Sequence, residues 1–179
     1  MDEFRFPDNY YEFYGDIFDH FESRLRGIPV PYIRKPESFY FIQTVSGDCK
    51  MSAGIAKEIN ARYGFRDIVM NDKLQRPPFR IGTVIEPKRA PHLMALVTKN
   101  LYFEKPTLDT MRSALETLEN RLSIERCLHK TDPIEVIMPT IGCGLDKLDW
   151  GDVKEIIFDV FGNAMSQGWL IITVVKRRI

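Results

Sequence analysis

Short apolar runs alternate with longer amphipathic segments along this chain of 179 residues. The runs have the length of β-strands, whereas the longer segments repeat apolar residues every three or four positions, as helices packed on a core do. Strands are predicted at 10–14, 39–43, 80–85, 92–98, 134–138 and 170–175. Helices are predicted near 18–25, at 53–63, from 107 and from 150. This alternation predicts an α/β fold, a three-layer α/β/α domain with a central mixed β-sheet.

The segment after Pro106 carries the clearest helical pattern in the chain. Its apolar residues share one face because they are three or four positions apart: Leu108, Met111, Leu115, Leu118 and Leu122. Thr107 can cap this helix, Gly64 can end the helix at 53–63, and Asp149 can cap the last helix. The buried face of the last helix is predicted to be Val153, Ile156, Ile157, Val160 and Phe161. Both long helices are therefore predicted to pack on the sheet.

Two proline-bearing segments separate predicted elements without dividing the chain. Residues 86–91 suit a turn, so the strands on either side of them are predicted to form a hairpin. Residues 19–37 are interpreted as an insert with a short helix and a proline-rich loop, placed where it could cover or border a cleft. We expect a single domain over 1–179 with a core at about 10–175, a length that can bury a sizeable core.

Composition and charge argue against several functional classes. Lysine plus arginine and aspartate plus glutamate both number 25, so the chain lacks the net positive charge typical of nucleic-acid-binding proteins. The basic residues 176–178 are interpreted as a solvated terminus. No apolar stretch is long enough to span a membrane, and residues 1–5 lack the apolar run of a secretion signal. We expect no membrane or nucleic-acid partner, and an intracellular location in the nucleus, the cytoplasm or both.

Neither a disulfide framework nor a metal site is indicated by the sequence. The three cysteines, Cys49, Cys127 and Cys143, have no regular spacing, and the three histidines are scattered. We therefore expect no metal ion and no other cofactor.

Three loops are predicted to meet at one edge of the sheet. They follow Gln43, Val97 and Met138, and ligands in such sheets bind at the carboxyl ends of strands. The third loop, 139–150, contains two glycines and Asp146. Its N–H groups and the first turn of the next helix suit a phosphate, and the neighbouring carboxylate favours a nucleotide-type ligand. A glycine pair after a strand is also a common turn, so this loop alone leaves a purely structural role open.

Four motifs, in this order, resemble those of one known family. They are Gly-Asp-Ile-Phe at 15–18, Asp-Cys-Lys-Met-Ser-Ala-Gly-Ile-Ala at 48–56, Thr-Lys followed by Lys-Pro-Thr at 98–107, and Pro-x-Ile-Gly-Cys-Gly-Leu-Asp-x-Leu-x-Trp at 139–150. Over about 10–175 the chain is similar to the macro domains, and more narrowly to the branch described as terminal ADP-ribose protein glycohydrolase or O-acetyl-ADP-ribose deacetylase. The resemblance implies an ADP-ribose-binding hydrolase that removes ADP-ribose from glutamate or aspartate side chains and deacylates O-acyl-ADP-ribose.

The resemblance also implies a set of site residues and partners. Lys99 takes the position of the lysine that attacks C1″ of the distal ribose, and Asp146 that of the acid/base that helps to resolve the covalent intermediate. Asp16 takes the position of the acid that contacts adenine. The residues expected to bind ADP-ribose are Asp16, Ile17, Ser46, Met51, Ser52, Ala53, Gly54, Ile55, Thr98, Thr140, Ile141, Gly142, Cys143, Gly144 and Leu145. The expected partners are ADP-ribose and mono-ADP-ribosylated proteins, and the chain is expected to be a monomer.

Other interpretations stay open for the individual residues. Lys99 taken alone is a surface lysine, and Asp146 taken alone is a loop or capping acid. Cys143 is interpreted as a small residue that fits its loop rather than as a nucleophile. The chain departs from the family's pattern at Ser52, where glycine is usual, and at 101–103, where a more polar segment is usual. The alternative is therefore a non-catalytic module that reads ADP-ribose, whereas the neutral charge balance disfavours a poly(ADP-ribose) or RNA binder.

Overall fold

The structure, a computed structural model, describes residues 6–178. Within that range it contains the strands β1 Tyr10–Tyr14, β2 Ser38–Ser46, β3 Val84–Ile85, β4 Leu93–Lys99, β5 Ile134–Met138 and β6 Leu170–Lys176. The helices are α1 Ile17–Leu25, α2 Gly54–Tyr63, α3 Phe65–Met70, α4 Leu108–His129 and α5 Trp150–Ser166. Each predicted element is present, and α3 was not predicted. The expectation about a secretion signal concerns residues 1–5, which lie outside the described residues.

The six strands of the described range form one mixed sheet in the order β1-β6-β5-β2-β4-β3. Neighbouring strands run parallel from β1 to β4, and the β3–β4 pair is antiparallel, which confirms the predicted hairpin. The carboxyl ends of the parallel strands therefore meet at one edge. At about 4.8 Å per strand, the β1 end lies about 19 Å from the β4 end.

Helices cover both faces of this sheet. On one face α4 and α5 pack against the strands through fully buried residues such as Leu115 and Ile157. On the other face α1, α2 and α3 do so through Phe21, Ile59 and Phe65. Parallel strands enclosed on both sides are apolar on both sides, which is why residues 93–97 of β4 form a continuous apolar run and β5 is apolar except for Glu135. The prediction of a three-layer α/β/α fold is confirmed.

Three predicted helix ends are confirmed. The Thr107 side chain accepts a hydrogen bond from the backbone N–H of Thr110 at the start of α4. The Asp149 carboxylate accepts one from the N–H of Asp152 at the start of α5. Gly64, with a φ of 64°, ends α2 in the left-handed conformation. A side-chain cap of this kind stabilises a helix by about 1 kcal/mol, so these residues define where the loops begin.

Three details of the predicted elements differ from the structure. Strand β3 is shorter than predicted because residues 81–82 form a turn. Leu108 is 37% exposed, because as the first residue of α4 it lies beyond the part of the helix that the sheet covers. Val160 is only partly buried and lies at the margin of the face that α5 packs on the core.

A buried ionic network fixes α1 to the sheet. Glu135 of β5 is fully buried and accepts hydrogen bonds from Arg24 Nε and Thr173 Oγ1, each at 2.7 Å, and it lies 3.1 Å from His20 Nε2. Burial raises the pKa of Glu135, but the hydrogen bonds and charges of His20 and Arg24 outweigh this effect and hold the pKa below its ordinary value. The network therefore joins α1 to β5 and β6.

Candidate functional site

A cavity of about 1000 Å³ opens at the edge of the sheet where the parallel strands end. Its wall consists of the segments that follow β1, β2, β4, β5 and β6, together with the first turn of α2. This volume lies at the upper end of the range for small-molecule sites. The three loops that were predicted to meet at this edge do so.

Most of the residues predicted to bind a ligand line this cavity. They are Asp16, Ile17, Ser46, Met51, Ser52, Ala53, Gly54, Ile55, Thr140, Ile141, Gly142, Gly144 and Leu145. The two predicted catalytic residues, Lys99 and Asp146, line it as well. Residues 19–37, all of which the structure describes, contribute none of the wall, so the predicted insert does not border the cavity.

Lys99 and Asp146 form an ion pair in the cavity. Lys99 Nζ lies 2.7 Å from Asp146 Oδ1, and the two side chains are 13% and 16% exposed. At this distance the carboxylate can accept a proton from the ammonium group. An amine that has lost its proton is a nucleophile, so the pair can supply both a nucleophile and its base.

A β-bulge brings Lys99, rather than Thr98, opposite the end of β2. The register between β2 and β4 shifts after Val45, so that Ser46 pairs with Lys99 and Thr98 is the additional residue. Thr98 is fully buried and does not line the cavity. Thr98 is therefore a predicted ligand-binding residue that the structure does not place in the cavity wall, because the bulge keeps it inside the protein.

Cys143 lies behind the glycine loop and not in the cavity wall. Its Sγ donates a hydrogen bond to the carbonyl oxygen of Ile141 at 3.2 Å, and the side chain packs against the core beneath α4 and α5. Burial, with a smaller effect of the Asp149 charge, raises the pKa of the Cys143 thiol to about 11. The structure does not place this predicted ligand-binding residue in the cavity wall, and its interpretation as an unreactive loop residue agrees with this environment.

Gly142 makes the turn that begins the glycine loop. Its φ is 72°, and a Cβ at this position would lie 2.7 Å from Met111 Cε and 3.0 Å from Leu148 Cδ1. A Cβ on Gly144 would instead meet open space. The loop therefore needs glycine at 142 for its backbone conformation and for the lack of space.

The helix that begins at the cavity is α2, not α5. The first turn of α2 is part of the wall, whereas α5 begins at Trp150, beyond the last wall residue of the glycine loop, Lys147. The expectation that the helix after the glycine loop faces a phosphate is thus corrected. The positive end of the α2 dipole is the one that can favour an anionic ligand.

An ionised aspartate holds the loop between β2 and α2. Asp48 Oδ1 accepts hydrogen bonds from Ser46 Oγ and, at 3.4 Å, from the N–H of Lys50, while Oδ2 accepts one from the N–H of Tyr102 at 3.2 Å. Burial raises the pKa of Asp48, but these hydrogen bonds outweigh it and hold the pKa below its ordinary value. Asp48 therefore joins the loops that follow β2 and β4.

Asp16 lies at the other end of the cavity from the ion pair, directly after β1. Its Oδ1 accepts a hydrogen bond from the N–H of Phe18 at 2.8 Å and caps α1. Asp16 is thus both a structural cap and a residue of the cavity wall, and the cap holds its side chain in place.

Several residues of the cavity wall were not predicted from the sequence. They are Gly15, Thr44, Val45, Ala56, Tyr102, Lys105, Pro139, Lys147, Val175, Arg177 and Arg178. The sequence interpretation of Arg177 and Arg178 as a solvated terminus is incomplete, because the parallel pairing of β6 with β1 brings both to the wall. Position is the signal that could have found them, since they follow the carboxyl end of a predicted strand.

The cavity wall carries more positive than negative side chains, although the chain as a whole is neutral. The carboxylates are those of Asp16 and Asp146. The cationic residues are Lys99, Lys105, Lys147, Arg177 and Arg178. This local balance suits a ligand with more than one negative charge.

Residues 6–178 contain neither a candidate metal cluster nor a candidate membrane-spanning helix. No three His, Cys, Asp or Glu side chains in that range are grouped so that they could hold a metal ion. No helix in it has both the length and the apolar character needed to cross a membrane. The three cysteines are free thiols.

In sequence the chain is similar to two mammalian proteins of known name, and no family model matches it. It is 33% identical over 140 residues to the ADP-ribose glycohydrolase OARD1 of Bos taurus, an alignment that covers 78% of this chain and 85% of that protein. The protein of the same name from Homo sapiens is 32% identical over the same shares of both chains.

In structure the chain is similar to solved macrodomains. The macrodomain of Thermus aquaticus DarG superposes with a TM-score of 0.64 at 15% identity, covering 93% of this chain and 97% of that one. Thermosipho africanus DarTG, solved in complex with ADP-ribose, superposes with a TM-score of 0.60 at 12% identity, covering 94% of this chain and 53% of that one. At these identities the likeness shows a common fold.

Proposed function

The chain belongs to the macrodomain family, with the ADP-ribose glycohydrolases named OARD1 among its relatives, and we propose that it hydrolyses ADP-ribose conjugates. The proposed reactions are the removal of ADP-ribose from glutamate and aspartate side chains and the deacylation of O-acyl-ADP-ribose. The names of the relatives and the cationic cavity support a hydrolase that acts on an ADP-ribosyl group. The observation that supports these two specific reactions is the contact between Lys99 Nζ and Asp146 Oδ1.

The dimensions of the cavity suit an elongated ligand with a different group at each end. Its wall extends from Asp16 after β1 to Lys99 after β4, strand ends about 19 Å apart. The loops after β5 and β2 lie between these ends, as the strand order requires. We place the adenosine near Asp16, the diphosphate against Gly142 and the start of α2, and the distal ribose at Lys99.

In the proposed glycohydrolase reaction, Asp146 first accepts a proton from the Lys99 ammonium group. The freed amine forms a bond to C1″ of the distal ribose, and the bond between C1″ and the carboxylate oxygen of the modified side chain breaks. The side chain leaves as a carboxylate and needs no proton. The reaction is thus a displacement at the anomeric carbon, with the Lys99 amine as the proposed nucleophile.

Water then releases ADP-ribose from the enzyme. Asp146 now carries the proton, which it returns to the Lys99 nitrogen as that nitrogen leaves C1″. The Asp146 carboxylate, now regenerated, accepts a proton from the water molecule that replaces the Lys99 nitrogen at C1″. The Lys99–Asp146 pair is restored after this proton passes back to solvent, and the product is ADP-ribose with a free anomeric hydroxyl group.

Deacylation of O-acyl-ADP-ribose needs only part of this machinery. The scissile bond is an ester between an acyl group and a ribose hydroxyl, and water can attack the acyl carbon directly. Asp146 can act as the general base for that water. We therefore assign this second reaction mainly to Asp146.

The proposal is tested with a protein that carries ADP-ribose on glutamate, with release of ADP-ribose as the readout. Wild-type protein is expected to release it, and Lys99→Ala and Asp146→Ala each to lower the rate at least about 100-fold. Asp146→Ala is further expected to form a covalent adduct with the mass of ADP-ribose on Lys99 slowly and then to retain it, because solvent can take the lysine proton whereas the second step loses both of its proton transfers. Calorimetry on both variants should show that ADP-ribose still binds.

Two results would contradict the proposal. Full turnover by either variant would remove the assigned mechanism. Tight ADP-ribose binding by wild-type protein without turnover of any acyl conjugate would make the chain a reader module, the alternative that Ser52 and residues 101–103 leave open. Because both proposed groups come from the chain, activity that a chelator such as EDTA abolishes would also overturn it.

A further inference from the structure

An apolar patch borders the Lys99 end of the cavity. The patch consists of Leu101, Tyr102, Phe103 and Leu145, whose exposed fractions are 40%, 48%, 66% and 62%. The rings of Tyr102 and Phe103 contact each other edge to face at a centroid distance of 5.4 Å. Neighbouring large apolar side chains that stay exposed are typical of surfaces that bind another molecule.

Hydrogen bonds hold the loop that carries most of this patch. The carboxylate of Glu104 accepts hydrogen bonds from the N–H groups of Asn100 and Leu101 at 3.2 and 3.4 Å. The N–H of Asp48 donates to the carbonyl oxygen of Asn100 at 3.1 Å, and Asp48 in turn accepts from the N–H of Tyr102. The aromatic pair is therefore presented by a fixed loop, which lowers the entropy cost of binding to it.

The patch is continuous with the reactive end of the cavity. Tyr102 and Leu145 line the cavity themselves, and Leu145 directly precedes Asp146. A hydrogen bond of 2.6 Å from Lys105 Nζ to the Leu145 carbonyl oxygen joins the segment after β4, which carries residues 101–103 of the patch, to the glycine loop, which carries Leu145. A group bonded to C1″ of a ribose at Lys99 would leave the cavity across this surface.

The border of the patch carries charges of both signs, from Lys50, Lys105, Asp48 and Glu104. Lys50 Nζ lies 4.7 Å from the centre of the Tyr102 ring, and Lys105 is bonded to a neutral carbonyl group. The neighbouring carboxylates of Asp48 and Glu104 accept hydrogen bonds from backbone N–H groups. With this balance the apolar side chains rather than a net charge distinguish the surface, and they complement a polypeptide that carries an apolar side chain next to the modified residue.

We propose that this patch binds the polypeptide on either side of the modified carboxylate, and that it favours segments with an apolar residue next to the ADP-ribosylated side chain. The inference rests on the proposed function, because the leaving group crosses the patch only if the distal ribose lies at Lys99. The patch acts on the protein part of the substrate and not on ADP-ribose. A small ester such as O-acetyl-ADP-ribose reaches no further than the cavity.

The test compares Phe103→Ser with wild-type protein on three substrates. Two are peptides ADP-ribosylated on glutamate that differ only in having leucine or serine beside that residue, and the third is O-acetyl-ADP-ribose. Phe103 is exposed and is not part of the cavity wall, so the variant is expected to fold and to deacetylate at the wild-type rate. Tyr32→Ser, at a residue 97% exposed outside the cavity wall, is the matched control.

Phe103→Ser is expected to lower kcat/KM for the leucine peptide about five- to tenfold, and for the other two substrates less than about twofold. Tyr32→Ser is expected to change none of them. Equal kcat/KM of Phe103→Ser and wild-type protein on the leucine peptide would overturn the inference alone. Absence of wild-type turnover on all three substrates would instead overturn the proposed function, and the inference with it.

Discussion

Lys99 Nζ lies 2.7 Å from Asp146 Oδ1, although 47 positions separate the two residues in the chain. Lys99 ends β4, Asp146 belongs to the loop after β5, and β2 lies between these strands in the sheet. The loop after β5 therefore reaches across the end of β2 to make the contact. The hydrogen bond from Lys105 Nζ to the Leu145 carbonyl oxygen joins the same two loops, so the geometry of the pair depends on both.

Lys99→Met is expected to separate the two proposed reactions. Methionine keeps much of the length and volume of the side chain but cannot attack C1″, so release of ADP-ribose from glutamate should fall at least about 100-fold. Deacetylation of O-acetyl-ADP-ribose should fall less than about tenfold, because Asp146 remains as a base. Initial rates on both substrates measure this split. Lys88→Met, at an exposed lysine, is the control, and an equal loss of both activities would contradict the assignment of separate roles.

The order of the elements could be predicted because strands buried on both sides are short apolar runs with clear ends. The predicted ends of β5 are those of the structure, Ile134 and Met138. Which of the parallel strands are neighbours could not be predicted, because parallel pairing joins residues far apart in sequence. The pairing of β1 with β6 is what brings Arg177 to the same cavity as Asp16, and no local pattern indicates it.

Within the site, the motifs predicted the loops but not the direction of every side chain. Thr98 and Lys99 are adjacent, and only the register shift between β4 and β2 decides which of them reaches the cavity. Cys143 stands between two glycines that line the cavity, yet its own side chain packs on the core. Side-chain direction in a glycine loop depends on backbone conformations that residue types do not specify.

Alanine at position 142 should mainly lower the stability of the fold, whereas alanine at position 144 should mainly weaken ADP-ribose binding. Gly142→Ala forces a Cβ against Met111 and Leu148 at a left-handed φ, and should lower the free energy of unfolding by about 2 kcal/mol. Gly144→Ala meets open space and should leave stability within about 0.5 kcal/mol, but it adds a methyl group in the cavity wall and should weaken ADP-ribose binding. Urea unfolding and calorimetry measure the two effects. Equal stability of the two variants would show that the turn at 142 tolerates a side chain.

Cys143→Ser is expected to keep full hydrolase activity. Because burial raises the pKa of the Cys143 thiol to about 11, only about 0.1% of it is thiolate at pH 8. Burial likewise raises the pKa of the Cys49 thiol to about 11, so this thiol should also react slowly. Cys127, in contrast, is exposed. Iodoacetamide followed by peptide mass mapping should find Cys127 alkylated first. Loss of activity in step with alkylation of Cys143 would instead make this thiol part of the chemistry.

Glu135→Gln is expected to destabilise the fold by about 3 kcal/mol at pH 7, because it leaves the buried guanidinium of Arg24 without its counter-charge. The folded-state pKa of Glu135 lies below its unfolded value of about 4.3, so the stability that its ionised form contributes is present above about pH 5. That contribution is lost as the pH falls through the unfolded and then the folded pKa. The difference in unfolding free energy between wild type and variant should therefore shrink below about pH 4.

Chemical unfolding at a series of pH values measures this dependence. The control is Glu116→Gln, at an exposed glutamate of α4, which should change the free energy of unfolding by less than about 0.5 kcal/mol. Because the network joins α1 to the sheet, amide hydrogen exchange in Glu135→Gln should increase more in Ile17–Leu25 than in Leu108–His129. A destabilisation that does not change with pH would mean that Glu135 contributes through packing rather than through its charge. Uniform exchange across both helices would mean that the network supports the whole core and not α1 in particular.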